Sequence, residues 1–499
     1  MKTILLNPPF EVQVAPPLGL AQIYAVLKKY GKDVDVVDAY DWSFQQICSF
    51  VKKQQPDMVG MPCTTPARFE VLDTAFLIKK VNPDIKIVLG GPHPTLMSQQ
   101  ILENYPFVDL IVRNEGEYIL LNLINCLEKN EKISNTKGIS FREGEKVYHT
   151  PDEPFIQNLD ELPFPAYHKF NLRNYVPYED LTTDLNQLVR APLISTRGCP
   201  YECVFCSSSD FWGHKWRFQS PKYVVDLMEY LYSRFNARYQ RFFDDNFFAS
   251  KKRTIEICKE LVRRKLHTEI IWRCEGRPDA GDREVYKWLA EAGCHMIEFG
   301  VESGTEEGLI ALNKRYTLDQ IRKALRITKE VGIFRKCFFI IGGPHENSNT
   351  VAQTRNFIEE VNPDRIHTFI LTVLPGTLLY ERAKSENLIT DDFWLKRQTY
   401  DPTTKYWNNC LPYTGELPLK EALREANRMM YWWNVEVKGL SSLFYYDTSF
   451  IKFMAKYYLK RRQFRRIWHG LSWVISTYLD KIFMRKSLWN KNPIESDFG

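Results

Sequence analysis

The chain has 499 residues, with 67 Lys and Arg against 61 Asp and Glu for a formal charge of +6. That length predicts about three domains. A hydrophobic content of 44% and a charged content of 26% exclude a largely disordered chain, a collagen-like repeat and a small disulfide scaffold. The eleven cysteines are odd in number and mostly scattered, which argues for a reducing compartment over a disulfide framework. No signal-peptide pattern follows Met1-Lys2-Thr3. No apolar run reaches the roughly 18 to 20 residues of a spanning helix, so a cytoplasmic protein is expected.

Residues 1–133 alternate strand and helix. Thr3 to Leu6, Val34 to Val37, Met58 to Met61, Ile85 to Gly90 and Leu110 to Val112 read as buried strands, with amphipathic crossovers at Leu18 to Tyr30, Ala67 to Val81 and Glu117 to Leu127. That order predicts an α/β, doubly wound, Rossmann-like parallel sheet. Asn7-Pro8-Pro9, Pro62, Gly90-Gly91-Pro92-His93-Pro94 and Asn114-Glu115-Gly116-Glu117 fall where strands end. In open α/β sheets that edge carries the ligand, so these loops are expected to rim a site.

Residues 134–190 read as a hairpin and linker. A second alternating block, 191–400, places strands at Leu193 to Thr196, Arg241 to Phe243, Ile270 to Arg273, Met296 to Phe299, Cys337 to Ile341 and Ile366 to Val373. Six β/α units suggest a partial (β/α)6, TIM-like barrel. From 401 to 499 the chain turns helical, aromatic and basic, with a helix expected at Leu419 to Lys438. Ile451 to Asn490 holds ten basic side chains and one acid, which leaves the remainder of the chain at −3. Within it, Phe464, Ile467, Trp468, Leu471, Val474, Ile475, Tyr478 and Ile482 recur on one helical face behind Lys460-Arg461-Arg462 and Arg465-Arg466. This pattern suits either an interfacial membrane helix or a helix packed on the barrel. No nucleic-acid recognition motif accompanies the charge.

Just after the first strand of the second block stands Cys199-Pro200-Tyr201-Glu202-Cys203-Val204-Phe205-Cys206, a C-x3-C-x2-C spacing. Three thiolates on one short loop can bind three corners of a [4Fe–4S] cubane and leave one iron open. A zinc site completed by His214 is the competing reading, but a second pair of ligands is not evident.

On this loop and its position, the chain resembles the radical S-adenosylmethionine superfamily. The resemblance implies that Cys199, Cys203 and Cys206 hold the cluster, whose open iron chelates S-adenosylmethionine. It places Phe205 near the adenine and the Asp244-Asp245 strand end at the methionine amino group. Arg273 ends the third strand, while Glu302 and Ser303 match ribose and carboxylate contacts. The Gly342-Gly343 loop matches the adenine approach, although His345-Glu346-Asn347 replaces the usual continuation. It also implies an electron donor such as flavodoxin or ferredoxin.

The first block resembles the cobalamin-binding domain fused to one subclass of these enzymes. The resemblance assigns Asn7, Pro8, Pro9, Gly90, Gly91, His93, Glu115 and Gly116 to cobalamin. The Asp-x-His-x-x-Gly signature of a lower cobalt ligand is absent, since Asp38-Ala39-Tyr40 lacks the histidine; His93 reads as a loop contact. The expected activity is cobalamin-dependent methylation of an unactivated carbon. One S-adenosylmethionine would supply the methyl group and a second the 5′-deoxyadenosyl radical. Radical cyclisation, oxygenation or carbon–carbon bond formation on a lipid, isoprenoid or tetrapyrrole is the alternative, and a non-catalytic metal-binding scaffold a distant third. The tail favours a small, apolar or lipid substrate, and if its helix is the interfacial one the protein is expected to touch the inner face of a membrane peripherally.

Overall fold

The computed structural model describes residues 1–9, 15–175, 188–344, 346–395, 411–413 and 415–438. The first sheet is built from β1 (Thr3–Asn7), β2 (Val34–Asp38), β3 (Met58–Pro62), β4 (Lys86–Gly90), β5 (Leu110–Val112), β6 (Ile139–Glu143) and β7 (Lys146–His149). Their order is β2-β1-β3-β4-β5-β6-β7. The first five run parallel, and the hairpin β6–β7 adds antiparallel to the β5 edge. The hairpin is therefore part of this sheet rather than of a linker, because β5 would otherwise leave an edge of unpaired backbone groups.

Ile4, Val59, Ile87, Leu89 and Ile111 face one apolar layer under helices Phe44–Gln54 and Arg68–Val81. Leu5, Val36, Val88, Leu110 and Val112 face the other, under Leu18–Lys29 and Gly116–Glu128. Both faces are covered, which is why these strands are continuous apolar runs. Helix Phe44–Gln54 has no counterpart in the sequence reading. It buries only Ile47 and Val51, too few positions for a clear period, and a capping box of Ser43 with Gln46 starts it.

In the second block β8 (Arg190–Leu193) leads into a short antiparallel ribbon, β9 (Thr196–Arg197) with β10 (Arg217–Phe218). Then come β11 (Tyr239–Phe242), β12 (Ile271–Gly276), β13 (Cys294–Glu302), β14 (Phe334–Ile341) and β15 (Arg365–Ile370). The sheet order is β15-β14-β13-β12-β11-β8, all parallel. With β8 and β15 at its two ends the barrel stays open on one side.

Helices Pro221–Phe235, Lys251–Arg263, Arg283–Glu291, Leu318–Glu330 and Ser348–Val361 cover its outer face. The sixth cover is Leu419–Tyr431, whose Met429 buries in the same core with Trp432 and Trp433. Thr368 Oγ1 donates to the Ala426 carbonyl at 2.8 Å, and the Asn434 amide brackets Ile366, accepting at 2.9 Å and donating at 2.8 Å. A helix assigned from sequence to a separate C-terminal region is thus the barrel's own last helix, ending in a π-helical turn at Trp432–Val437. The basic stretch 451–490 lies outside the described residues.

The last expected strand divides. β15 stays in the sheet, while β16 (Thr372–Val373) pairs antiparallel with β17 (Leu411–Pro412). Beyond it Leu379, Tyr380 and Trp394 join the core of the first sheet. Fully buried Arg68 donates from Nε to the Trp394 carbonyl at 2.9 Å, so the segment between β15 and the barrel's last helix straps the two sheets together.

Candidate functional site

The cysteine loop follows β9 at the carboxyl edge of the barrel. Gly198, with φ +87°, leads into it; a Cβ there would stand 2.3 Å from the Lys215 carbonyl, so only glycine fits. The Arg277 guanidinium lies 3.5 Å from the ring centre of Tyr201 and also donates to the Lys314 carbonyl at 2.6 Å. Asn313 Nδ2 donates to the Glu202 carbonyl at 2.6 Å, and Leu379 N to that of Val204 at 2.8 Å. The loop is braced from three later segments of the chain.

Cys199, Cys203 and Cys206 are half-buried and unpaired in disulfides. Burial pushes the Cys206 thiol up to about 12, with further contributions from Asp245, Cys203 and Cys199. Cys199 is raised by burial too, with Asp245 and Cys203 adding to the shift and the Arg277 guanidinium opposing it. The three thiols therefore share one space with Asp245. Among the described residues no three His, Cys, Asp or Glu side chains close on a point that one metal ion would fill. Three thiol ligands from one short loop, with no second ligand pair, suit an iron–sulfur cluster better than zinc.

Asp244 does not face that space. It is buried, accepting from Ser195 N at 2.6 Å, Thr196 N at 2.7 Å and Ser195 Oγ at 2.6 Å. It pins β8 to β11, and Asp245, exposed and bonded to the Ser208 hydroxyl, is the carboxylate on the thiol side. Next to it, Asn246 is 2% exposed with neither amide atom hydrogen-bonded. An orphaned buried amide at a strand end is what a bound polar ligand would satisfy.

Glu302 ends β13 in the left-handed region, φ +65°, and pairs with buried Lys314 at 2.9 Å. Such a conformation in a non-glycine residue is held only where surroundings over-determine it. Phe205 packs into the core beneath, its ring centre 5.4 Å from Lys314 Nζ. Ser303, by contrast, turns into the cap of the next helix, where its Oγ accepts from Thr305 N at 3.2 Å. Gly342 and Gly343 both donate to the Glu346 carboxylate. Burial pushes that carboxyl up to about 7. Arg273 sits inside the barrel, fully buried, 3.7 Å from Glu298, which also pairs with Arg241 at 3.0 Å and Lys336 at 3.1 Å. It belongs to a charged floor below the mouth, not to the mouth.

A cavity of about 560 Å³ opens at the carboxyl edge of the first sheet, between β1 and β3. That is where strand order reverses, the usual ligand crevice of this topology. Asn7, Pro8, Gly90, Gly91, Glu115 and Gly116 line it; Pro9 and His93 do not. Gly91 has φ +98°, and a Cβ on it would lie 3.0 Å from the Cys63 carbonyl. His93 is buried against Thr65, its Nδ1 3.2 Å from Oγ1, and burial lowers its pKa to about 3. It is a structural side chain outside the cavity. Glu115 is engaged by two arginines, Arg197 Nη1 at 2.8 Å and Arg217 Nη1 at 2.7 Å.

No motif in the sequence marks Arg197, Arg217 or Lys314. Arg197 stands two residues before Cys199, which is the one local signal that could have found it. Their partners are distant in sequence, and no spacing rule predicts them.

The radical SAM superfamily pattern matches residues 193–358, and the B12 binding domain pattern residues 12–124. The chain is 33% identical to an uncharacterized methyltransferase of Pyrococcus horikoshii, over 86% of this chain and 92% of that protein. It is 31% identical to the anaerobic magnesium-protoporphyrin IX monomethyl ester cyclase of Rubrivivax gelatinosus, over 76% of this chain and 70% of that protein. The radical S-adenosylmethionine methyltransferase TsrM from Kitasatospora setae shares the fold, with a TM-score of 0.66 at 20% identity over 77% of this chain and 76% of TsrM.

Proposed function

Because the chain belongs to the radical S-adenosylmethionine superfamily, in the branch that carries a B12-binding domain, we propose that it methylates an unactivated carbon of a small molecule with cobalamin as methyl carrier. When bound, the cluster supplies the electron that cleaves S-adenosylmethionine to a carbon-centred radical, and cobalamin the methyl group. The protein's part is placement. Cys199, Cys203 and Cys206 hold the cluster, on a loop that Arg277 clamps through Tyr201. Asn246 and Asp245 take the polar end of S-adenosylmethionine, with Phe205 and the Gly342-Gly343 backbone at its base. The cavity between β1 and β3 takes the corrinoid.

The observation that carries this reading is that the two seats share a wall: Arg197 lines the cavity and precedes Cys199 by two residues. Anaerobic reconstitution with iron and sulfide, followed by S-adenosylmethionine, hydroxocobalamin and dithionite, tests it. Wild type is expected to gain cluster absorbance and form 5′-deoxyadenosine, and Cys203→Ala to lose both. Cleavage retained by Cys203→Ala overturns the radical reading. S-adenosylhomocysteine formed alongside identifies methyl transfer.

The second reading, ring closure on a tetrapyrrole or another apolar skeleton, is favoured by the likeness to the cyclase. It predicts 5′-deoxyadenosine without S-adenosylhomocysteine. Among the described residues no helix is long and apolar enough to cross a membrane. Peripheral membrane contact rests on the sequence of the tail, and sedimentation with anionic vesicles before and after deletion of 451–499 checks it.

A further inference from the structure

Four side chains form a buried, charge-balanced cluster between the two sheets. Arg197 donates from Nη1 to Glu115 at 2.8 Å and from Nη2 to Glu117 at 2.6 Å, while Arg217 Nη1 reaches Glu115 at 2.7 Å. Their side chains are 2–10% exposed. The backbone completes the set. Ile156 N donates to Glu115 at 2.6 Å, and Arg217 donates to the carbonyls of Ile156 and Trp212 at 2.8 Å each. The carboxylates flank Gly116 at the start of helix Gly116–Glu128 in the first sheet's layer, and the arginines are the paired residues of the β9–β10 ribbon.

This cluster has no need to exist for the helix, whose N-terminus already favours acidic side chains. Burying four charges is costly unless geometry is exact, and what it fixes is the ribbon. Arg197 is joined to Cys199 through Gly198, and the Cys199 amide is tied to the Gly213 carbonyl at 3.3 Å, next to the β9–β10 ribbon. A shift of Arg197 therefore moves the first cluster ligand. On its other side the same cluster is cavity wall, since Glu115, Gly116, Glu117 and Arg197 all line the space between β1 and β3. Anything filling the cavity bears on the carboxylates, and anything reshaping the cysteine loop bears on the arginines.

We propose that Glu115, Glu117, Arg197 and Arg217 are positioning residues that energetically couple corrinoid binding in the cavity to cluster binding on the cysteine loop, an inference resting on the seats assigned above. Coupling between two sites is reciprocal, and its usual size is about 5- to 150-fold in affinity. The dissociation constant of hydroxocobalamin is measured by quenching of tryptophan fluorescence, in cluster-free and in cluster-reconstituted protein. Wild type is expected to bind at least about 5-fold tighter once the cluster is present. Glu117→Gln, which keeps the shape but loses the charge, is expected to bring that ratio close to one while each partner still binds. In parallel, the electron paramagnetic resonance spectrum of the reduced cluster should change on adding hydroxocobalamin in wild type and not in Glu117→Gln.

Glu128→Gln in the same helix, whose carboxylate pairs at the surface with Lys32 and the N-terminus, is the control and should retain the wild-type ratio. If Glu117→Gln does not fold, the double variant Glu117→Gln/Arg197→Gln removes opposite charges together and should likewise give a ratio near one. A wild-type ratio of one, or a ratio unchanged in the variants, overturns the coupling. Absence of hydroxocobalamin binding to wild type in both forms overturns the assignment of the cavity instead.

Discussion

The two sheets bury their strands in opposite ways. In the first, Ile87, Val88 and Leu89 lie under helices on both sides and all are 3% exposed or less. In the second, strands alternate: Trp272 and Cys274 face the helices, while Arg273 and Glu275 face inward. The inward set includes Arg241, Glu298 and Lys336, linked by ion pairs of 2.8–3.1 Å with Arg273 nearby. A sheet face packed on helices needs only shape and apolar area. The inner face of an unclosed barrel must instead hold open a polar space, so its charges have to satisfy one another. The first sheet accordingly carries its cavity at the edge, and the second keeps its paired charges inside.

Mutations that treat the two interiors alike should separate them. Glu298→Ala leaves Arg273, Arg241 and Lys336 without their shared carboxylate and is expected to cost about 3–5 kcal/mol, read as a lowered guanidinium midpoint of the barrel. An unchanged midpoint would mean that water already serves these charges. Leu89→Ala, fully buried in the first sheet, should cost about 2–5 kcal/mol through its cavity. Hydrogen exchange should place that loss in β1–β5 and spare the barrel.

The third effect depends on pH. Glu346 is raised by burial from 4.5 to about 7, so the folded state holds its proton more tightly than the unfolded chain. That contribution is fully present below pH 4.5 and is lost as pH rises through about 7, a span of about 3 kcal/mol. Glu346→Gln keeps an oxygen for the Gly342 and Gly343 amides and should flatten this part of the stability profile. An identical slope in the variant would show that Glu346 ionises freely.

Much of this was legible in the chain. The strands of the first sheet were, because continuous Val, Ile and Leu runs between Gly and Pro turns have few other uses. The barrel strands were legible through their starts and stops rather than their apolarity. The C-x3-C-x2-C loop was legible because all three cysteines come from one short stretch. Helix Phe44–Gln54 was not, since only two of its residues bury. The sheet position of the β6–β7 hairpin was not, since pairing with β5 is a choice among edges. Nor was the role of Met429, Trp432 and Trp433, whose aromatic composition fits a membrane surface as well as the barrel core they fill.

What the sequence by itself determined is the type and order of the elements and the chemistry of the cysteine loop, because both arise from neighbours along the chain. What only the tertiary structure decided is which polar side chains remain available to a ligand. Asp244, Ser303, His93 and Glu115 have the right chemistry in the right motifs, yet each is engaged elsewhere: by the β8 turn, a helix cap, Thr65 and two arginines. Glu115 meets Arg197 across 82 residues and Arg217 across 102. A residue's identity is local, but a buried charge is governed by its partner, and the partner is chosen by the packing of the two sheets.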